Sequence, residues 1–344
     1  KEFLKEHGVA MPGGGKFRTK VPEMVDGKAT RVSSYSNAET GRYEPGEQYY
    51  FDSYFTEMAL EGLRRRDTTK PLLLNAMFLA PHPPLQIPDP WYRAVGAEDF
   101  ALPDNIGVYY PRQSPLQMYN LTGIVGTRYG REHWKEAWRV YLGLVRMLDH
   151  CVGRVLEELK RQGIYDDSLI LFTSDHGEML GDHYMSQKNL FFEGSAHVPF
   201  ILVPPAGRAI PHNNQVDGVI TLADVFPTIL AMAGLTPPED GSGENLLPFL
   251  SGKGQKEKRF YGDSLHTNFC VMEDRKKLIY TRIGSSMLLF DLEKDPMERH
   301  NLADDPKYRE IRERLWNLLI SHVKKTAPQV LKPGSGTDNS DTFI

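Results

Sequence analysis

A chain of 344 residues, 40% hydrophobic and 25% charged, has the composition of an ordinary globular protein. Its formal net charge of −4 argues against a nucleic-acid binder that relies on bulk electrostatic attraction. No apolar run approaches the roughly 18–20 residues that a membrane-spanning helix needs, and two cysteines are too few for a disulfide framework. The length allows one large α/β domain, or one domain plus a smaller one.

The N-terminal region begins without regular patterning. Residues 1–48 are rich in glycine, proline and charge, which predicts irregular loop. Asp52 or Ser53 is a candidate cap for a helix that runs through Leu63. The apolar run at residues 72–79 then predicts a buried strand.

A Pro-His-Pro-Pro sequence follows this run at residues 81–84. Prolines cannot continue a central strand, so His82 is expected on a stiff turn at the strand's carboxyl end. His82 could donate a proton or a hydrogen bond to an ester oxygen, although a histidine between prolines also fits a purely architectural role.

The middle of the chain contains a long excursion and a strong helix. Residues 85–130 carry many turn residues, and loops of this length are usually functional or disordered. Apolar residues then recur at spacings of three and four from Trp134 to Leu159, which predicts an amphipathic helix that ends near Gly163.

The most informative stretch is residues 173–183, Thr-Ser-Asp-His-Gly-Glu-Met-Leu-Gly-Asp-His. It follows the apolar run at residues 168–172, so Asp175 and His176 are expected at the carboxyl end of a core strand, where open α/β sheets bind ligands. A carboxylate and an imidazole can ligate one divalent cation. The alternative is that Asp175 caps a turn and His176 is a hydrogen-bonded structural residue.

Further charged residues follow this stretch. Lys188 could pair with a substrate oxyanion and stabilise charge on a leaving oxygen, or it could be a solvated surface lysine. The pair Asp182-His183 fits a functional role and a loop-stabilising contact equally well. Glu193 and His197, one helical turn apart, are expected to brace the loop rather than contact substrate.

The C-terminal third changes in composition. A strand at residues 198–203 and a helix at residues 223–233 complete the first domain, residues 1–250. Residues 251–344 then show short strands, a helix at 307–324 and a polar tail, which predicts a small α+β subdomain.

Several motifs together resemble the type I, formylglycine-dependent sulfatases of the alkaline phosphatase superfamily. The resemblance is carried by residues 174–183 with Lys188, Glu193 and Val198-Pro199, and by the turn at 81–84. The long helix (141–156), the next helix (227–234) and the Phe-Asp-Leu, Asp-Pro and Asn-Leu sequence at 290–302 are similar to the family's elements in the same order.

The resemblance implies an α/β fold with a doubly wound, mostly parallel sheet flanked by helices and a smaller C-terminal subdomain. It implies hydrolysis of a small sulfated substrate and a bound Ca²⁺, with Mg²⁺ or Mn²⁺ as alternatives. Asp175 and His176 would be metal ligands, and Lys188 and His82 catalytic groups that bind the sulfate and assist the leaving oxygen. His in place of the family's frequent Asn at 176 resembles relatives that also cleave phosphonates and phosphodiesters.

The family's nucleophile, the formylglycine made from a Cys- or Ser-x-Pro-x-Arg motif, has no counterpart here. Neither Cys151 nor Cys270 lies in such a motif, and the upstream Asp-Asp pair and Gly-Lys-Trp-His motif are also absent. We therefore expect the chain to be the C-terminal two-thirds of a sulfatase, with a missing N-terminal segment as its partner. Alone, it is expected to be inactive and to expose apolar surface.

Three functions stay open from the sequence. The parent is a calcium-dependent sulfatase, a phosphodiesterase or phosphonate hydrolase of the same superfamily, or a non-catalytic binding module. No nucleic-acid partner or membrane span is expected, and the oligomeric state is not indicated. The resemblance implies an exported or lysosomal protein, and the low cysteine count favours a bacterial origin, so a periplasmic or secreted bacterial protein is expected.

Overall fold

The computed structural model describes residues 2–25, 28–113, 121–188, 190–211, 215–238, 243–253, 259–264, 266–282 and 285–331. The chain forms two compact units. Unit 1 comprises Lys1–Val108, Asn120–Asp166 and Leu180–Ser186, and unit 2 comprises Tyr109–Tyr119, Asp167–Met179 and Gln187–Ile344. Unit 2 thus contains the whole of the predicted C-terminal subdomain, and the boundary at residue 250 stays a prediction.

Unit 1 is built from helices and short strands around one long helix. Its helices are α1 (Glu2–Glu6), α2 (Phe51–Arg65), α3 (Leu121–Gly126) and α4 (Arg131–Arg161), and its strands are β1 (Arg18–Val25), β2 (Lys28–Ser36), β3 (Thr40–Arg42) and β4 (Leu85–Ile87).

Helix α4 confirms the predicted periodicity. Its buried face includes Trp134, Val140, Leu144 and Met147, which pack with Leu85 and Ile87 of β4 in the core of the unit. The helix ends as predicted beside Gly163, whose φ of +70° suits a residue without a side chain.

The predicted loop over residues 1–48 is wrong for residues 18–36, where β1 and β2 form an antiparallel hairpin with Arg18 opposite Ser36 and Val25 opposite Lys28. Each strand satisfies the other's backbone hydrogen bonds, so the glycines and prolines that precede β1 do not prevent pairing. Strand β3 then pairs with β4 in parallel, Thr40 opposite Leu85.

The predicted buried strand at residues 72–79 is also wrong. Residues 71–79 form no regular element, and the side chains of Leu73 and Met77 are 82% and 73% exposed. A strand requires a neighbour to satisfy its backbone groups, and no described strand pairs with this segment. The exposed apolar side chains fit the expectation that this chain presents uncovered apolar surface.

Unit 2 combines a strand pair, short helices and a larger sheet. Its strands are β5 (Ile170–Thr173), β6 (Phe200–Val203), β7 (Arg259–Ser264), β8 (Asn268–Glu273), β9 (Lys276–Thr281) and β10 (Ser286–Asp291), and its helices are α5 (Glu193–Ala196), α6 (Val225–Met232), α7 (Leu247–Leu250) and α8 (Arg309–Thr326).

Strand β5 exists where the sequence predicts it, but it is half-buried rather than buried. Its neighbour among the described strands is β6, antiparallel, with Ile170 opposite Val203 and Thr173 opposite Phe200. With one neighbour, one edge of β5 has no strand beside it in the described part of the chain.

The C-terminal sheet is antiparallel in the order β10-β9-β8-β7. Helix α8 covers one face, where Leu315, Leu319 and Val323 pack with Leu278 and Tyr280 of β9. The predicted short strands are confirmed as β9 and β10 with longer bounds, and the helix predicted at 307–324 is confirmed as α8, shifted by two residues. Strands β7 and β8 are elements that the sequence did not predict.

Among the glycines of residues 173–183, Gly181 makes the tightest contact with the core of unit 1. Its φ is +93°, and a Cβ there would lie 2.6 Å from Cδ2 of the buried Trp134. We expect Gly181→Ala to lower the free energy of unfolding by about 2 kcal/mol or more, since backbone strain and overpacking both oppose it. Urea denaturation followed by Trp fluorescence measures this loss.

The matched control is Gly62→Ala in α2, where an added Cβ meets no atom within 4 Å. It should raise stability by about 0.5–1 kcal/mol because alanine loses less backbone entropy in a helix. Equal effects of the two substitutions would contradict the packing described for Gly181.

Candidate active site

The loop after β5 orders Asp175 and His176 through local hydrogen bonds. The hydroxyl of Ser174 donates to the carbonyl oxygen of His176 at 2.7 Å, and the backbone N–H of His176 donates to Oδ1 of Asp175 at 3.0 Å. The Asp175 side chain is 83% exposed, so its carboxylate stays accessible to a ligand.

The imidazole of His176 is held in one orientation. Its Nδ1 lies 2.8 Å from the carbonyl oxygen of Gly177. Because that oxygen can only accept, the proton belongs on Nδ1, and the neutral ring carries its lone pair on Nε2. Nε2 lies 3.5 Å from Oδ2 of Asp175.

This pair of donor atoms fits a shared cation. Two ligands at about 2.3 Å from one metal ion, at roughly a right angle, are separated by about 3.3 Å, close to the distance between Nε2 and Oδ2. A backbone hydrogen bond on Nδ1 is also the usual partner of a ligating histidine. No group of three or more His, Cys, Asp or Glu side chains able to hold a metal occurs in the described residues. Within the described residues, Asp175 and His176 therefore form a pair of possible donor groups and not a complete ligand set.

Lys188 lies in unit 2 with Asp175 and His176, and it is half-buried. The backbone N–H of Met179 donates to the carbonyl oxygen of Gln187 at 2.9 Å, and the N–H of Gln187 donates to the Glu178 carboxylate. These two bonds hold the residue before Lys188 against the motif that carries the proposed metal ligands.

His82 lies in unit 1, and its turn is held by short contacts. Its backbone N–H donates to the carbonyl oxygen of Leu79 at 2.9 Å, and its Nδ1 lies 2.6 Å from the carbonyl oxygen of Pro83. Because a carbonyl oxygen can only accept, Nδ1 carries a proton. That His82 acts in one site with Lys188 stays a prediction.

Asp52 is wrong as a helix cap. The N-cap of α2 is Tyr50, and Oδ1 of Asp52 instead accepts the backbone N–H groups of Leu79 and Ala80 at 2.7 and 3.0 Å. The Asp52 side chain is fully buried, and burial raises the pKa of its carboxyl. Asp52 thus positions the entry to the His82 turn, a role that sequence spacing does not reveal.

Asp182 and His183 form a structural pair in unit 1. Nδ1 of the buried His183 lies 2.8 Å from Oδ1 of Asp182, and the side-chain amide of Asn105 donates to the same oxygen at 2.6 Å. Of the two roles that the sequence allowed, these contacts support loop stabilisation.

A buried charge cluster in unit 2 was missed by the sequence reading. The Lys277 ammonium nitrogen on β9 lies 2.6 Å from Oε1 of Glu193 and 2.7 Å from Oε1 of Glu298, and it donates to the carbonyl oxygen of Phe191 at 2.7 Å. Only 2% of the Lys277 side chain is exposed. The one feature of the sequence that indicates this cluster is a lysine directly before the apolar run 278–280 of a strand.

The cluster is anchored at both ends. Oε2 of Glu298 accepts the backbone N–H of Glu193 at 2.7 Å, and Nδ1 of His197 lies 3.0 Å from Oε2 of Glu193. Burial raises the pKa of Glu193, but the His197 hydrogen bond and the Lys277 charge outweigh it and lower that pKa to about 2. Burial lowers the pKa of Lys277, but the two carboxylates outweigh it and raise that pKa.

Helix α5 connects the cluster to the loop that carries Asp175 and His176. The backbone N–H of Gly177 donates to the carbonyl oxygen of Ser195 at 2.8 Å. A Cβ on Gly177 would lie 2.2 Å from the carbonyl oxygen of Gly194, so only glycine permits this approach. Glu193 and Lys277 therefore position the helix that Gly177, the residue after His176, contacts.

Neither cysteine is placed for nucleophilic chemistry. Cys151 lies on the buried face of α4 and Cys270 on β8, and both thiols are free and buried. Burial raises the pKa of both thiols, that of Cys270 to about 12, which disfavours the reactive thiolate.

Comparison with known proteins assigns the class. The Sulfatase family model matches residues 3–235, and a model described as N-sulphoglucosamine sulphohydrolase, C-terminal, matches residues 181–325. The chain belongs to the sulfatase family of the alkaline phosphatase superfamily. No helix among the described residues is long and apolar enough to cross a membrane.

Individual relatives agree with this assignment. An arylsulfatase of Clostridium perfringens is 30% identical over 81% of this chain and 59% of its own length. The multifunctional alkaline phosphatase superfamily protein PehA of Trinickia caryophylli is 31% identical over 81% of this chain and 61% of its own length. The chain thus spans about three-fifths of the length of these curated relatives.

Solved structures confirm the α/β fold. The phosphonate monoester hydrolase of Agrobacterium radiobacter superposes with a TM-score of 0.73 at 24% identity, covering 94% of this chain and 68% of that one. A structure described as BT4656 in complex with its substrate D-glucosamine-2-N,6-O-disulfate gives a TM-score of 0.67 at 20% identity, covering 88% and 73%.

Replacing Lys277 tests the buried cluster. Lys277→Met leaves the carboxylates of Glu193 and Glu298 without their shared cation, and we expect a loss of about 3–5 kcal/mol in the free energy of unfolding. Hydrogen exchange followed by mass spectrometry should also show faster exchange of the amides at residues 177 and 193–197.

The control is Lys307→Met, a change at an exposed position, which should alter stability by less than about 0.5 kcal/mol. In the triple variant Lys277→Met/Glu193→Gln/Glu298→Gln, the buried negative charge is removed and most of the loss should be recovered. A loss below about 1 kcal/mol for Lys277→Met would show that the cluster does not anchor α5.

Proposed function

We propose that this chain forms part of a sulfuric ester hydrolase that cleaves the sulfate ester of a carbohydrate or of an aryl or alkyl alcohol. The observation that carries the proposal is the pair of donor atoms, Oδ2 of Asp175 and Nε2 of His176, 3.5 Å apart after β5 in a chain of the sulfatase family. Their separation supports a shared metal ion.

Asp175 and His176 would hold the metal, with Ca²⁺ favoured and Mg²⁺ or Mn²⁺ as alternatives. An oxygen donor suits Ca²⁺ or Mg²⁺, whereas the nitrogen donor extends the choice to Mn²⁺. When bound, the ion supplies positive charge that stabilises a developing oxyanion.

Lys188 and His82 would act on the ester itself. The Lys188 ammonium group binds a sulfate oxygen through a charge-assisted hydrogen bond. His82, with Nδ1 committed to Pro83, presents Nε2, which in the cationic ring carries a proton for the leaving oxygen. Both roles depend on positions fixed by backbone bonds of the neighbouring residues.

The nucleophile would come from outside these 344 residues, as a formylglycine in a segment that this chain does not contain. The lack of the motif around Cys151 and Cys270, together with the burial of both thiols, supports this part of the proposal. The same family relationship supports a periplasmic or secreted bacterial compartment.

A phosphonate monoester or phosphodiester hydrolase of the same superfamily is the second candidate. The specific observations in its favour are His176 in place of asparagine and the similarity to PehA and to the Agrobacterium radiobacter phosphonate monoester hydrolase. A non-catalytic binding module is the third candidate, and a turnover assay separates all three.

The test compares turnover of 4-nitrophenyl sulfate with that of 4-nitrophenyl phenylphosphonate. The 344-residue chain alone should show no turnover of either ester. A longer protein that joins the nucleophile segment to this chain should hydrolyse the sulfate faster, and Lys188→Ala should reduce its kcat by about 10²-fold or more, the effect of losing one oxyanion donor.

Lys307→Ala in the same protein, at an exposed position, should leave kcat unchanged. Appreciable turnover by the 344-residue chain alone would contradict the external nucleophile. Faster hydrolysis of the phosphonate would favour the phosphonate monoester or phosphodiester hydrolase. No turnover of either ester by the longer protein would leave the non-catalytic binding module as the remaining candidate.

A further inference from the structure

Unit 1 contains a cleft of about 630 Å³ that none of the proposed catalytic residues lines. It lies beside the β1–β2 hairpin and the segment between α3 and α4. Its lining residues are Lys16, Arg18, Thr19, Lys20, Asn37, Glu39, Arg128 and Tyr129.

The cleft is strongly cationic. Lys16, Arg18, Lys20 and Arg128 contribute four positive charges, and Glu39 contributes one negative charge, a local balance of +3 in a chain whose net charge is −4. All four cationic residues are exposed. Like charges gathered this closely repel one another unless an anion binds among them.

The cations are placed to act together. Arg18 and Lys20 are two residues apart on β1, so their side chains leave the same face of the hairpin. Among the described residues that line the cleft, Lys16 and Glu39 form an ion pair, with 3.9 Å between Nζ and Oε2. The positive charges of Arg18, Lys20 and Arg128 are thus available to a ligand.

The floor of the cleft is ordered by hydrogen bonds. The Asn37 amide donates to the carbonyl oxygen of Lys16 at 3.0 Å, and its Oδ1 accepts the backbone N–H of Glu39 at 3.1 Å. Tyr129 stacks on His133 with ring centroids 4.3 Å apart, which fixes the aromatic wall. An ordered backbone and an aromatic side chain beside cations suit a sugar that carries anionic groups.

The segment that leads into the cleft contacts the His82 turn. The N–H of Gly13 donates to Oε1 of Gln86 at 2.9 Å, and a Cβ on Gly13 would lie 2.8 Å from Cγ of Pro84. Gly13 also has a φ of +87°, so both the close contact with Pro84 and the backbone conformation require glycine here. These contacts join the segment that precedes the cleft in the chain to the turn that carries His82.

We propose that this cleft binds an anionic group of a polysulfated oligosaccharide, apart from the ester that is cleaved. The proposal rests on the proposed function and deepens it, because it makes multiply charged carbohydrates the preferred substrates, bound more tightly than the single aryl or alkyl sulfates that the same active site would also hydrolyse. Guanidinium and ammonium groups bind sulfate oxygens through charge-assisted hydrogen bonds.

Direct binding to the 344-residue chain tests this without any turnover, so its failure is distinguishable from failure of the hydrolase assignment. The probe is a fluorescently labelled, fully sulfated heparin tetrasaccharide, followed by anisotropy at 50 and 200 mM NaCl. We expect saturable binding that weakens with salt, and an affinity about tenfold or more lower for Arg18→Ala/Lys20→Ala.

The matched control removes two exposed charges from the same unit, Arg65→Ala/Lys70→Ala. Arg65 of the control is next to Arg66, whose side chain donates a hydrogen bond to Gln162 at the C-terminal end of α4. Arg128 of the cleft lies just before the N-terminal end of the same helix. The 31 residues of α4 separate these ends by about 46 Å. The control should bind within about twofold of the wild type, and circular dichroism checks that both variants fold.

Three results would overturn the proposal: no binding of the sulfated tetrasaccharide by the wild-type chain, an equal loss in the two double variants, or equal affinity for the desulfated tetrasaccharide. Equally tight binding of a single-stranded DNA oligonucleotide of matched charge would also overturn it, because the cleft would then bind polyanions without regard to the sugar.

Discussion

The Lys277 ammonium group lies between the carboxylates of Glu193 and Glu298 with almost no access to water. A lone charge in that position would be strongly unfavourable, so the three side chains must keep their mutual geometry. This requirement ties the C-terminal sheet, through β9, to helix α5. Because Gly177 packs directly on α5, the same requirement fixes where the backbone next to His176 lies.

From that constraint, the placement of His176 follows by a short chain of bonds. The Gly177 carbonyl sets the tautomer of His176, which leaves Nε2 with its lone pair near Oδ2 of Asp175. In unit 1, Asp52 performs the corresponding task, because its buried carboxylate holds the backbone that enters the His82 turn. Both units thus use a buried carboxylate to place a histidine, and the chemistry is left to exposed or half-buried atoms.

The features that could be predicted from sequence are those encoded locally. The period of α4 and the Asp175-His176 pair after β5 depend on residues close together in the chain. The role of Lys277 in a buried ion cluster could not be predicted, because its partner Glu193 is 84 residues away in the chain. The cationic cleft could not be predicted for the same reason, since Arg18 and Arg128 are also distant in sequence. Residues 72–79 were mistaken for a strand because an apolar run specifies the strand only when a neighbour pairs with it.

The central claim is that Asp175 and His176 ligate one divalent cation, and Mn²⁺ tests it through the nitrogen ligand. Pulsed electron paramagnetic resonance of the Mn²⁺-loaded 344-residue chain should show ¹⁴N modulation that His176→Gln abolishes. His300→Gln should preserve it, since the exposed His300 is paired with an aspartate at a similar distance, with Nδ1 3.4 Å from Oδ2 of Asp295. Absence of ¹⁴N modulation in the wild type at saturating Mn²⁺, or its persistence in His176→Gln, would contradict the metal site.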